Sequence, residues 1–155
     1  GIIMLEYRVR GRNTATDATA NHAVGILWNP STTRSIWIVE IHLANTTAAT
    51  AQVELARISV RGTAGATVTP DIDNHIDHAV APPSGFLLDL GNHSVEPTVA
   101  TEPFDGYWTA ATIGAGKIWN FRAAPIKVLT AAGFGIVTAD AVAVAACEIV
   151  FCVQE

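Results

Sequence analysis

The densest group of side chains able to do chemistry is Asp71-Ile72-Asp73-Asn74-His75-Ile76-Asp77-His78. Carboxylates and imidazoles packed this closely suggest metal ligation. Asp71 and Asp73 resemble the opening of a calcium loop, but an EF-hand needs Gly at its sixth position and Glu at its twelfth. Those positions hold Ile76 and Pro82. For zinc, His75 and His78 with Asp71 or Asp77 could supply ligands. The same residues also make a solvated loop with Asx turns, which Asp and Asn favour. Closeness in sequence does not meet the geometric tests of a metal site. The expectation is therefore no metal and no cofactor, with Asp71, Asp73, His75, Asp77 and His78 as the residues that would ligate one.

Other chemistries fail at named residues. No Gly-x-Ser-x-Gly elbow is present, and Ser31, Ser35, Ser59, Ser84 and Ser94 fall in turns or at strand ends. Gly114-Ala115-Gly116-Lys117 looks like part of a phosphate loop. A P-loop, however, requires Gly-x-x-x-x-Gly-Lys-Ser/Thr ahead of a helix, and Ile118-Trp119 follow here. Cys147 and Cys152 sit five residues apart in one apparent strand. An odd separation places them on opposite faces, and about 3.3 Å per residue carries them beyond the ~7 Å reach of a disulfide. They read as free, buried, small hydrophobes. No enzyme is expected.

The elements that must carry these residues alternate with period two, the strand signature. In Ser35–Leu43, Trp37, Val39, Ile41 and Leu43 share one face, and Ile36, Ile38, Glu40 and His42 the other. In Gln52–Arg61 the apolar face changes near Ala56, which predicts a β-bulge. Further strands are expected at Leu5–Arg10, Val24–Trp28, Thr67–Thr69, Gly85–Leu90, Trp108–Ile113, Lys117–Phe121, Ile126–Leu129, Gly133–Thr138 and Ala141–Gln154. Turn clusters such as Asn29-Pro30-Ser31, Gly62-Thr63-Ala64-Gly65 and Gly114-Ala115-Gly116 separate them. The pattern predicts an all-β, single-domain, jelly-roll-like sandwich of about eight to ten strands. Residues 1–21 form an N-terminal arm and first strand, and 22–155 the sandwich. Pro70–Pro103, which holds Asp71, Asp73, Asp77, Asp89 and His93, reads as a long central loop region around one short strand.

Composition narrows the partners. Of the 155 residues, 50% are hydrophobic and 15% charged, against about 25% charged in ordinary soluble domains. Mean hydropathy is +0.32. The most apolar stretch, Phe134–Val153, is interrupted by Thr138, Asp140 and Glu148, so no membrane span is expected. Gly1–Leu5 is too short an apolar run for a signal peptide. Net charge is −5 and the arginines are scattered, apart from Arg8, Arg10 and Arg12. Nucleic acid is not expected as a partner, because its phosphates need clustered cations. Apolar surface without a membrane points to self-association. The interface candidates are Tyr7, Arg8, Arg10 and Arg12 on the arm, with Tyr107 and Trp108 as the aromatics best placed to be exposed.

Three stretches carry a resemblance. They are Ile36-Trp37-Ile38-Val39-Glu40-Ile41 followed by Asn45-Thr46-Thr47; Leu55-Ala56-Arg57-Ile58 followed by Gly62-Thr63-Ala64-Gly65 and Val68-Thr69-Pro70; and Thr112-Ile113-Gly114-Ala115-Gly116-Lys117-Ile118-Trp119. Their order resembles small β-rich proteins of tailed bacteriophages, of the kind that resemble capsid decoration (cement) proteins. The resemblance spans about residues 24–155. It implies a jelly-roll domain on the outer surface of the virion head, assembled in the host cytoplasm. It also implies contact with the major capsid protein and a homo-oligomer, a trimer most naturally. Asp71–His78 matches no motif of that kind. The alternatives are a tail or head-fibre module that recognises a host glycan through Tyr107 and Trp108, and a metal-dependent enzyme built on Asp71–His78.

Overall fold

A computed structural model describes residues 4–14, 19–70, 81–100, 103–139 and 145–155. Among them the chain is strand and turn throughout, without helix. The first strands are β1 (Glu6–Asn13), β2 (Ala23–Asn29), β3 (Ile36–Asn45) and β4 (Gln52–Val60). Then come the short strands β5 (Ala66–Val68), β6 (Leu87–Leu90), β7 (Thr98–Val99) and β8 (Asp105–Trp108). The last are β9 (Gly116–Asn120), β10 (Ile126–Val128), β11 (Ala132–Thr138) and β12 (Cys147–Gln154). Twelve strands exceed the eight to ten expected, because the central region and the edges break into short pieces. Trp108–Ile113 is not a strand: pairing runs over Asp105–Trp108 and the chain then turns.

The strands form two antiparallel sheets. One has the order β1-β12-β3-β10, with β9 beside β10's neighbour β3; the other is β5-β6-β2-β11-β4-β7, with β8 also on β4. The pairing is nested: β1 with β12, β2 with β11, β3 with β9 and β10, β4 with β7 and β8. Successive early strands alternate between the sheets, so the chain behaves as a long hairpin rolled over itself. That is jelly-roll connectivity. Glu6–Asn13 is extended, as the sequence suggests, and pairs along its whole length with β12 of its own chain.

The main core lies between the sheets and includes Val9, Leu27, Ile38, Ile41, Leu55, Leu88, Phe134 and Phe151. Rings close both flanks. Tyr7 meets Phe86 edge-on at 6.1 Å, and Tyr107 meets Trp119 edge-on at 6.4 Å.

A second apolar cluster lies on the other face of the β2–β11–β4 sheet, where Ala23, Ile26, Trp28, Ala56, Ile58 and Val137 are buried. The bulge expected near Ala56 falls further along the strand: against β7 the register of β4 shifts between Ile58 and Val60. The β4–β11 ladder runs unbroken from Val53↔Thr138 to Ile58↔Gly133. Val53 and Leu55 face the main core and Ala56 and Ile58 the second cluster; both faces are buried, so the apolar residues change face without a slip. Gly133 makes room for the cover, since a Cβ there would stand 2.9 Å from Trp28 Cε3. The other register shifts lie at Val24 and Val39.

Candidate functional site

The outer face of the β1-β12-β3-β9 sheet carries a cluster of charged side chains, Glu6, Arg8, Arg10, Arg12, Glu40 and Glu148 among them. Its register lays side chains in cross-strand rows. Arg8, Cys152, Glu40 and Asn120 form one row; Arg10, Val150, His42 and Ile118 form the next. Alternation along each strand sends these side chains away from the core.

Arg122, just past β9, organises the first row. Its Nε donates to Glu40 Oε2 at 2.7 Å, and its Nη1 and Nη2 donate to the two Glu6 oxygens at 2.7 and 3.2 Å. It also meets Glu40 through Nη2. His42 Nε2 lies 3.2 Å from Glu40 Oε1. Hydrogen bonding from Arg122 holds the Glu40 carboxyl below its usual range, and that from His42 adds to it. The two carboxylates in turn push the Arg122 guanidinium up, Glu6 more than Glu40. At the neighbouring edge, Arg10 Nε is 2.8 Å and Arg12 Nε 3.4 Å from Glu148.

Beside the rows runs a groove of about 590 Å³, floored by His42, Ala44 and Val150 and walled by Lys117 and Ile118. Gly116 makes it possible, because a Cβ there would run into the Leu43 carbonyl.

Glu40, His42 and Cys152 stand apart within this face. Their ligand atoms all lie within 4.8 Å of one another, the one such group of three among the described residues. Sequence reading places Glu40 and His42 on one face of one strand. What it lacks is the β3–β12 register that sets Cys152 opposite Glu40.

The other expected site residues separate. Arg8, Arg10 and Arg12 are exposed on β1. Tyr7 corrects the expectation of a contact residue, because its ring is buried in the main core. Asp71, Asp73, His75, Asp77 and His78 lie outside the described residues. Asp89 is a fully buried residue of β6, within the short strand expected at Gly85–Leu90. Tyr107 and Trp108 sit on β8, at the far flank from β1. Tyr107 is half-buried against Trp119, with Lys117 Nζ 5.1 Å from its ring centre. Trp108 is 65% exposed. Buried Asn45 pins the turn after β8, donating through Nδ2 to Ala49 O, Thr109 Oγ1 and Ala110 O at 2.8, 2.7 and 3.1 Å.

A scan against protein-family models finds no match, and neither the curated proteins nor the solved structures contain one. No helix among the described residues is long and apolar enough to cross a membrane.

Both cysteines are free and buried. Cys147 faces the core, where burial pushes its thiol up to about 12. Burial also raises the Cys152 thiol, with Arg8 opposing, and the Tyr7 phenol, with Glu155 adding to the effect. The folded chain keeps all three neutral while the unfolded chain ionises them from about pH 9 upward. Stability present below that pH is therefore lost as the pH rises toward the folded values, by about 1.4 kcal/mol per pH unit for each group titrating only when unfolded. Denaturant midpoints are expected to be flat around pH 8 and to fall above about pH 9. Cys147→Ala should make the decline shallower; an equal slope would contradict the assignment.

Proposed function

We propose that the protein is a virion structural subunit, a head decoration protein that bridges neighbouring major capsid subunits on the outer surface of the shell. The observation that carries this reading is that the flank made by β8, β9 and the segments beside them leaves several large apolar side chains exposed, Trp108 and Ile118 on the outer faces of different sheets. Phe104 is 55% exposed, Trp108 65%, Ile113 67% and Ile118 60%. Large apolar side chains exposed at one flank offer area that a partner can bury, and tryptophan is prominent among residues that dominate interface energy. The pinned turn supports the same reading, since Asn45 holds this flank in one shape before any partner arrives. Jelly rolls serve in viral capsids and also in lectins, so the fold agrees without deciding. The mechanism is mass action: copies that bind only the expanded shell stabilise that state. Self-association into a trimer would present the flank more than once around a local symmetry axis.

The test is to mix purified protein with undecorated expanded heads and image them. Saturable occupancy of the outer surface is expected. Trp108→Ala should weaken binding by about 30-fold, the equivalent of a ~2 kcal/mol hot spot. Heads that stay bare with the wild-type chain would overturn the reading. A glycan-binding tail or head-fibre module needs Tyr107 and Trp108 as a shared stacking platform. The half-buried Tyr107, held edge-on to Trp119, favours the decoration reading over that one.

A further inference from the structure

We infer that Glu40, His42 and Cys152 form a zinc site on the outer face of the β1-β12-β3-β9 sheet. Three features carry it. The first is donor chemistry. A thiolate, an imidazole and a carboxylate are the side chains zinc takes, and three of them with one open position is a common zinc arrangement. A single carboxylate oxygen beside sulfur and nitrogen does not suit calcium or magnesium, which take oxygen ligands.

The second is geometry. At ordinary zinc bond lengths, tetrahedral ligands stand about 3.3 Å apart for a nitrogen–oxygen pair and about 3.6 Å apart when one is sulfur. His42 Nε2 and Glu40 Oε1 are already 3.2 Å apart. Cys152 Sγ lies within 4.8 Å of both. The remaining closure is about 1 Å, within the range of side-chain rotation. The backbone is already set: Glu40 and Cys152 are direct cross-strand partners and His42 follows two residues on, all within a paired sheet.

The third is what surrounds the ligands. Arg122 grips Glu40 through Oε2, which leaves Oε1 directed at His42. Glu6 holds the other side of that guanidinium. Metal ligands are commonly oriented by such outer hydrogen bonds. Burial raises the Cys152 thiol, and Arg8, across from it on β1, opposes that rise. Binding replaces the S–H proton with a zinc–sulfur bond. The proton leaves to solvent, no electron is transferred, and the two anionic ligands neutralise the dication. Water completes the coordination.

The experiment titrates reduced, chelator-stripped full chain with cobalt(II) and then zinc(II). A thiolate-to-cobalt charge-transfer band and the strong visible bands of tetrahedral cobalt are expected at one ion per chain, bleached by zinc. Cys152→Ser should abolish the charge-transfer band. His42→Ala, a change at a half-buried surface residue, should weaken zinc binding at least tenfold. Cys147→Ser should leave both intact. Zinc should also raise the melting temperature of the wild type and not of the variant lacking His42. No charge-transfer band, or one that survives Cys152→Ser, overturns the site. Binding that is lost with His75→Ala and His78→Ala but kept with His42→Ala overturns it too.

Discussion

Arg61→Ala is expected to destabilise the protein by about 3 kcal/mol, the low end for breaking a buried ion pair. Asp89 is fully buried on β6. Its neighbours Leu88 and Leu90 face the main core, so Asp89 faces the other way, opposite Ile26 of the second apolar cluster. Arg61 Nε donates to its Oδ2 at 2.8 Å and Nη2 to its Oδ1 at 2.9 Å, while Thr67 Oγ1 donates to Oδ1 at 2.9 Å. The same hydrogen bonds push the Arg61 guanidinium up. Removing the arginine leaves a carboxylate with one hydroxyl among apolar neighbours, and the desolvation cost of that charge is what the measurement reads. Arg61 keeps 35% of its side chain exposed, so solvent moderates the loss and the upper end of the range is not expected. The double variant Arg61→Met, Asp89→Leu removes both charges and should recover most of the stability. Urea unfolding at neutral pH separates these outcomes. A cost below about 1 kcal/mol for Arg61→Ala would place the pair with ordinary surface salt bridges.

That pair also shows where sequence stops being legible. Asp89 falls in the short strand expected at Gly85–Leu90, inside a stretch rich in Pro, Asp and His, and nothing local shows that it is buried. Only the pairing of β6 with β2 and β5 reveals that its two faces meet different apolar clusters. Strand positions were legible because alternation and turn residues are local signals, and ten of the twelve strands among the described residues fall on expected segments, β7 being unexpected and β8 lying ahead of Trp108–Ile113 save for Trp108 itself. Faces were less so. On β3 the single register shift opposite Val39 changes the inward set: Ile36 and Ile38 point to the core at one end, Ile41 and Leu43 at the other, and Trp37 turns out against Lys127. A period-two count carried through that point assigns half of the strand to the wrong side. The Glu40–His42–Cys152 group was half legible. Its two members on β3 share a face by spacing, but the third arrives from a strand more than a hundred residues away, through a register no local pattern encodes.

Tyr7→Ala should cost about 3–5 kcal/mol, the usual loss for deleting a large buried ring. Sequence placed this residue on an arm free to clasp a neighbour, and the two roles predict opposite results. A contact residue can be truncated with little effect on the isolated chain and a large effect on assembly. A core residue unfolds the chain first. Tyr7 is fully buried, packs edge-on to Phe86 and lies opposite Val153 of β12. Because β1 is the outer strand of its sheet, with β12 its only partner there among the described residues, the ring fastens the edge to the core. Tyr7→Phe keeps that ring and should shift stability by about 1 kcal/mol. Arg10→Ala, on the exposed face of the same strand, should stay within about 0.5 kcal/mol, as surface changes usually do. Chemical denaturation of the isolated chain, run beside head binding for each variant, reads both roles at once. If Tyr7→Ala folds with wild-type stability and loses only head binding, β1 acts as the clasp. The expected loss of stability instead makes β1 a wall of its own sandwich, and leaves its outward arginines as the parts able to meet a neighbour.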